Sequence, residues 1–127
     1  MIRILEEAET LLLEWGERET RWTPPTDLFV TQGYVWVTFE IPGVSEDDLS
    51  ISISPTMVYI QGVRRAPEEF SQGITFYNLE IPYGAFERKV TLPCPIDPTN
   101  LQFKFERGIL TLRLTKKEKR VKILEIE

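Results

Sequence analysis

The spacing of hydrophobic positions changes character at Pro24-Pro25. Before it, Ile4, Leu5, Ala8, Leu11, Leu12 and Trp15 recur at steps of three and four, opposite Glu6, Glu7, Glu9, Glu14 and Glu17. That period predicts an amphipathic helix over residues 1–20, with Gly16 as a stop. Periodicity alone leaves open whether its apolar face covers its own domain or meets other chains. After the prolines the period becomes two. Val35, Val37, Phe39 and Ile41 fall on one face, and Leu49, Ile51 and Ile53 alternate with serines. Val58 and Ile60 follow; Phe86, Arg88, Val90 and Leu92 share a side, as do Leu101, Phe103 and Phe105, then Leu110, Leu112 and Leu114. Such runs read as half-buried strands. Turn signals separate them at Pro42-Gly43, Ser54-Pro55, Pro93 to Pro98 and Gly108. Short alternating strands without intervening helices predict an all-β fold, an antiparallel β-sandwich of the immunoglobulin-like kind.

Two stretches stand outside this rhythm. The segment from Arg64 to Gly84 is too long for a hairpin turn, and connections of that length are usually functional or disordered. Its strand-prone Ile74, Phe76 and Tyr77 predict an extended arm with its own short strand, which needs an edge to pair with. The other is RVKILEIE, after the charged run KKEKR. Here Val121, Ile123, Leu124 and Ile126 lie among Lys122, Glu125 and Glu127, where chain ends are ordinarily polar and loose. From the residues alone it is equally a last strand of its own domain or a segment that docks elsewhere.

Composition narrows the chemistry. The 127 residues suit one domain with arms. A net charge of −5 argues against a general nucleic-acid binder, although Lys104 to Lys122 is basic and the first twenty residues are acidic. One cysteine, Cys94, cannot form an internal disulfide and suits a reducing compartment; with no signal-like start and no membrane-length apolar run, the expectation is cytoplasmic. There is no histidine, which removes Ser-His and Cys-His catalysis and nearly all zinc sites. The glycines are too widely spaced for a phosphate-cradling loop, so ATP use, cofactors and metals are not expected. Glu46, Asp47 and Asp48 read as a solvated turn. Glu80, Glu87 and Glu106 alternate with apolar residues and read as solvent-facing rather than as an acid/base pair. The Glu-rich polar face of the first helix suits anionic lipid poorly, so no direct membrane binding is expected. A chain without catalytic equipment works through surfaces.

From about Pro24 to Lys116 the chain resembles the α-crystallin-type small heat-shock proteins. The carriers, in order, are PPTDLFVTQGYVWVTFEIPGVSEDDLSISI, VYIQGVRR, YGAFERKVTLP and GILTLRL. Departures are modest: the family often has Ala where Phe103 stands, Asn where Arg107 stands and Pro at Thr115, and Glu80-Ile81-Pro82-Tyr83 replaces a more usual run. The resemblance implies an α-crystallin domain over 24–116 with a dimerisation loop at 64–84, a helical arm at 1–23 and an extended tail at 117–127. It implies an ATP-independent holdase, not an enzyme, whose partners are its own copies, as dimers and higher oligomers, and non-native client proteins.

The resemblance also assigns sites. Dimers are expected to exchange the arm strand around Ile74 to Asn78, so Ile74, Phe76, Tyr77 and Glu80 join the dimer interface. Arg88 falls at the family's dimer-supporting arginine, with Glu68, Glu69 or Glu80 as possible ion-pair partners. The tail carries two Ile-x-Ile-like pairs, Val121 with Ile123 and Leu124 with Ile126. One of them is expected to fill a neighbour's groove lined by Leu49, Ile51 and Ile53 on one strand and Leu101, Phe103 and Phe105 on another. Val121 with Ile123 is the first choice because it directly follows the basic linker. Clients are expected on the arm residues Leu11, Leu12, Leu13, Trp15 and Trp22, and on exposed strand grooves. The rival expectation is a monomeric β-sandwich adaptor that binds one folded partner.

Overall fold

Strong alternation in the residues from Tyr34 onward builds the centre of the fold. The structure is a computed structural model that describes residues 2–5 and 20–118. Eight strands occur among them: β1 (Arg3–Leu5), β2 (Thr26–Thr31), β3 (Tyr34–Glu40), β4 (Leu49–Ser54), β5 (Met57–Arg64), β6 (Gly84–Thr91), β7 (Ile96–Glu106) and β8 (Ile109–Lys116). They form two four-stranded sheets, ordered β1-β4-β5-β6 and β2-β3-β8-β7. Every pairing is antiparallel except β1 with β4, which is parallel.

The sheets bury their inward faces against one another. On one side Val35, Val37 and Phe39 of β3 pair in register with Leu114, Leu112 and Leu110 of β8. On the other lie Leu49, Ile51 and Ile53 of β4, Val58 and Ile60 of β5, and Phe86 and Val90 of β6. All of these belong to one core cluster, closed at its ends by Ile41, Leu92 and Ile96. This apolar burial is the main stabilising term, at ~1.5–3 kcal/mol for each fully buried large side chain before entropy is counted.

Two close approaches explain small residues in the sequence. A Cβ on Gly62 would lie 2.5 Å from both the Asp48 carbonyl oxygen and Phe86 Cζ. Arg107-Gly108 is the two-residue turn between β7 and β8, with φ of +52° and +78°. Positive φ at both positions is what a type I′ hairpin turn requires. Gly108 is doubly constrained, because a Cβ there would meet Pro42 Cα at 2.6 Å. Its carbonyl accepts a 2.7 Å hydrogen bond from the Ile41 amide, which joins the Pro-Gly turn to the Gly-Ile-Leu block.

The helix expected over residues 1–20 is corrected at its start: Arg3–Leu5 is a strand. Helix propensity is a weak prior, and a tertiary partner overrides it. The partner is the outer edge of β4, which a short extended segment satisfies. Residues 6–19, including Leu11, Leu12, Leu13 and Trp15, lie outside the described residues, as do tail residues 119–127. The 64–84 segment leaves β5 and returns to β6 with only a 3-10 turn at Glu68–Phe70. The strand expected near Ile74 is corrected: residues 65–83 contain no strand in the isolated chain.

Candidate functional site: an inter-sheet groove, an open edge and an arm

The groove expected from the sequence falls where β4 and β7 face each other across the sandwich. Leu49, Ile51 and Ile53 are fully buried on the β4 side. On β7, Leu101, Phe103 and Phe105 pair with the inward-facing Leu114, Leu112 and Leu110, so they too point inward. They are less covered: Leu101 and Phe105 are partly buried against the core, and Phe103 is 46% exposed. The cause is position. β7 is the last strand of its sheet, so its inward side chains have a neighbour on one flank only. All six residues named from the sequence thus lie on the inward faces of these two strands. The tail residues assigned to fill the groove, Val121, Ile123, Leu124 and Ile126, lie outside the described residues. Part of the groove is filled from within: Ile2 is buried and Ile4 packs against the core, with Ile4 in register with Ile51.

β2 is the other terminal strand of the same sheet. Leu28 and Val30 pair with the buried Val37 and Val35 and so share their inward face, yet they are 40% and 45% exposed. Phe29 points to the outer face and stacks on Trp36 with centroids 5.8 Å apart. Tyr34 packs edge-on to Trp36, and the Arg113 guanidinium sits 4.5 Å over the Tyr34 ring. Among the described residues nothing pairs with the outer edge of β2. An unpaired edge rimmed with apolar side chains is a template for another strand.

The arm between β5 and β6 has no strand of its own but is rich in exposed apolar side chains. Ile74, Phe76, Tyr77, Leu79 and Ile81 are all exposed, Tyr77 almost completely. Phe70 makes edge-on contacts with Phe76 and Tyr83. Glu80 accepts a 2.7 Å hydrogen bond from the Asn78 amide group. Both ends of the arm are fixed by one residue that sequence reasoning passed over, Arg64. Its side chain is buried. Nε and Nη2 donate to the Pro82 carbonyl at 2.9 and 2.7 Å, and Nη1 donates to the Pro42 carbonyl at 3.1 Å. The guanidinium lies 4.0 Å from the Trp22 ring centroid. A usable signal existed: Arg64 is in phase with the inward-facing Val58, Ile60 and Gly62. Beside it, exposed Arg65 forms a two-pronged pair with Asp48, both contacts at 2.8 Å, and this pairing holds the Asp48 carboxyl below its ordinary pKa.

The remaining sequence-named residues are placed as follows. Trp22 is half-buried; its indole N–H donates to the Gly84 carbonyl at 3.1 Å and its ring lies 4.8 Å from Phe86. Arg88 has the phase expected of it, in register with Ile60. It is nevertheless exposed, and among the described residues it forms no ion pair, with Glu68, Glu69, Glu80 or any other acid. β6 lies at the border of its sheet, so the side chain reaches water instead of burying its charge. Glu87 accepts a short hydrogen bond from the Tyr59 hydroxyl, to which the Gln61 amide group also donates. Burial and the adjacent carboxylate push the Tyr59 hydroxyl up to about 12. Among the described residues no group of acids and thiols has metal-ligating geometry, and no helix is long and apolar enough to cross a membrane.

Comparison with known proteins places this arrangement. Residues 28–127 match the Hsp20/alpha crystallin family. The small heat shock protein C4 of Rickettsia felis is 29% identical over 105 residues, covering 80% of this chain and 64% of its own. Heat shock protein 16 of Schizosaccharomyces pombe is 30% identical over 99 residues, covering 76% of this chain and 68% of its own. The chain spans 61% of the small heat shock protein C2 of Rickettsia felis and 41% of a 22.0 kDa heat shock protein of Arabidopsis thaliana, so several relatives are much longer. Among solved structures, heat shock protein 16.0 from Schizosaccharomyces pombe superposes with a TM-score of 0.68 at 27% identity, covering 84% of this chain and 99% of that one. HSP18.5 from E. histolytica gives 0.66 at 28% identity, covering 83% and 99%. A two-sheet sandwich with the Pro-Gly turn locked to the Gly-Ile-Leu hairpin, matched by a family profile over most of its length, means that this chain belongs to the Hsp20/alpha crystallin family.

Proposed function

We propose that this chain is an ATP-independent holdase that binds partly unfolded proteins, keeps them from aggregating, and works as an exchangeable oligomer of strand-exchanged dimers. The observation that carries the reading is complementarity between two surfaces of one molecule. Among the described residues, the arm exposes Ile74, Phe76 and Tyr77 in a segment with no strand partner, and β2 exposes Leu28, Phe29 and Val30 on an edge with no strand partner. The arm of one copy laid along β2 of another satisfies both, reciprocally, across a two-fold axis. Arg64 holds the arm's roots on the domain so that its middle can reach across. Arg88, exposed on β6, is then available to an acid of the partner.

Dimers join through the tail. Residues two apart in an extended segment point the same way, so Val121 with Ile123 can enter a neighbour's β4–β7 groove together. Burying two such side chains is worth ~3–6 kcal/mol gross. Ordering the segment and losing translational freedom cancel much of that, so single tails exchange while several per assembly add avidity. Clients take the same kind of apolar surface, on Leu11, Leu12, Leu13 and Trp15 and on the open groove and edge. The burial that binds them is non-directional and suits varied sequences.

The test is suppression of light scattering by a thermally unfolding client without nucleotide, together with the native mass before and after warming. Protection by an assembly larger than a monomer is expected. A monomer that leaves client aggregation unchanged would overturn the reading and favour an adaptor for one folded partner. Replacing Val121 and Ile123 with Gly is expected to reduce large assemblies to dimers on a sizing column; an unchanged elution volume would refute the tail assignment.

A further inference from the structure

The edge of β4 is already occupied in the isolated chain. Arg3–Leu5 lies along it as a parallel strand, with Arg3 opposite Ser50, Ile4 opposite Ile51 and Leu5 opposite Ser52. Ile2 is only 8% exposed, Ile4 packs against the core, and Arg3 between them faces solvent. Apolar, charged, apolar is also the pattern of Val121-Lys122-Ile123 and Leu124-Glu125-Ile126. An extended backbone with this pattern presents two apolar side chains on one face and turns the charged one outward, as Ile2-Arg3-Ile4 does. β4 has β5 on its other side, so its open edge has hydrogen-bonding groups for one added strand only.

We infer that Ile2-Arg3-Ile4 is an internal occupant of the groove proposed for the tail, and that the two exclude each other. The inference rests on the tail-docking reading above and adds a competitor to it. With the internal segment seated, a tail from another copy must displace it, so apparent affinity falls by the fraction of molecules whose groove is open. The seated strand is three residues long and is held by few backbone bonds, so it opens more readily than the long ladders beside it. Opening does two things at once. It frees β4 for a tail, and it exposes Ile2 and Ile4 together with Phe103, which is already half-open. Assembly through tails and exposure of that apolar segment thus rise together.

The experiment uses full-length protein in which Val121, Ile123, Leu124 and Ile126 are Gly, so that its own tail does not compete, and a fluorescent peptide of residues 119–127 as probe. Binding is read by anisotropy. Ile2→Ser with Ile4→Ser is expected to tighten peptide binding by about tenfold or more. A second variant guards against a folding artefact: Arg3→Cys with Ser50→Cys, in a Cys94→Ala background, places thiols at paired positions of adjacent strands, within disulfide reach. Oxidised, this protein should bind the peptide at least about tenfold more weakly than the same sample after reduction. Equal affinity in the two redox states, or with and without Ile2 and Ile4, overturns the competition. A peptide that binds none of these proteins overturns tail docking itself, and the competition with it.

Discussion

Replacing Arg64 with Ala removes a buried cation whose donors go to backbone carbonyls rather than to a carboxylate. Three hydrogen bonds are lost, two to Pro82 and one to Pro42, together with the 4.0 Å contact over Trp22. A hydrogen bond to a charged group is worth ~1.5–3 kcal/mol net, so three set a ceiling of ~5–9 kcal/mol. The cation–π contact adds about 1–2 kcal/mol at a desolvated site. Against this stands the desolvation of the guanidinium, which costs several kcal/mol for a buried ion. The balance predicts a loss of about 3 kcal/mol on Arg64→Ala, or a midpoint lowered by about 10 °C for a domain of this size. Arg64→Lys keeps the charge but not the planar fork, and is expected to recover less than half of that loss. The assay is urea and thermal unfolding at one fixed protein concentration, because assembly is linked to stability. Limited proteolysis should also cut between residues 65 and 83 faster in the variant, since the clamp holds the returning end of the arm. A stability within about 0.5 kcal/mol of the parent, the scatter of ordinary surface changes, would refute the clamp.

Three further outcomes follow from local geometry. Arg107→Asn places a residue that tolerates left-handed backbone where φ is +52°, and is expected to raise stability by about 0.5–1 kcal/mol in denaturant titrations; a loss would contradict the type I′ reading. Gly62→Ala puts a methyl 2.5 Å from the Asp48 carbonyl oxygen and Phe86 Cζ, and overpacking of this kind should cost at least ~1–3 kcal/mol by the same titrations, with a neutral result showing that β5 can shift. Tyr59 titrates late, at about 12. Because its folded-state value is raised, the stability it contributes is intact below pH ~10 and fades as pH climbs through the folded value. Spectrophotometric titration should show the last phenol step disappear in Tyr59→Phe, and an unchanged curve would dismiss the Glu87 and burial effect.

Much of the sandwich was legible because a half-buried strand writes its phase into the chain. Val35, Val37 and Phe39, the three β8 leucines, and Ile51 with Ile53 all lie on the face that alternation assigned them. The inward phase of Leu49, Leu101, Phe103 and Phe105 was legible for the same reason. How far each is covered was not: Phe103 and Val30 have core-like phase but stand on terminal strands, and only the order of strands in a sheet decides that. Arg88 shows the same limit, with a correct phase and an exposed charge. Arg64 shows the converse, since its carbonyl partners at Pro42 and Pro82 lie far away along the chain.

The sequence by itself determined the class of fold, the two faces of each strand and the absence of histidine-based chemistry, because these depend on residue type and on a period of two. Tertiary structure alone decided which edges stay open, which arginine is buried, and that Arg3–Leu5 is a strand. Those outcomes depend on what lies across space from a residue. A three-residue segment takes whichever backbone its nearest unsatisfied partner offers.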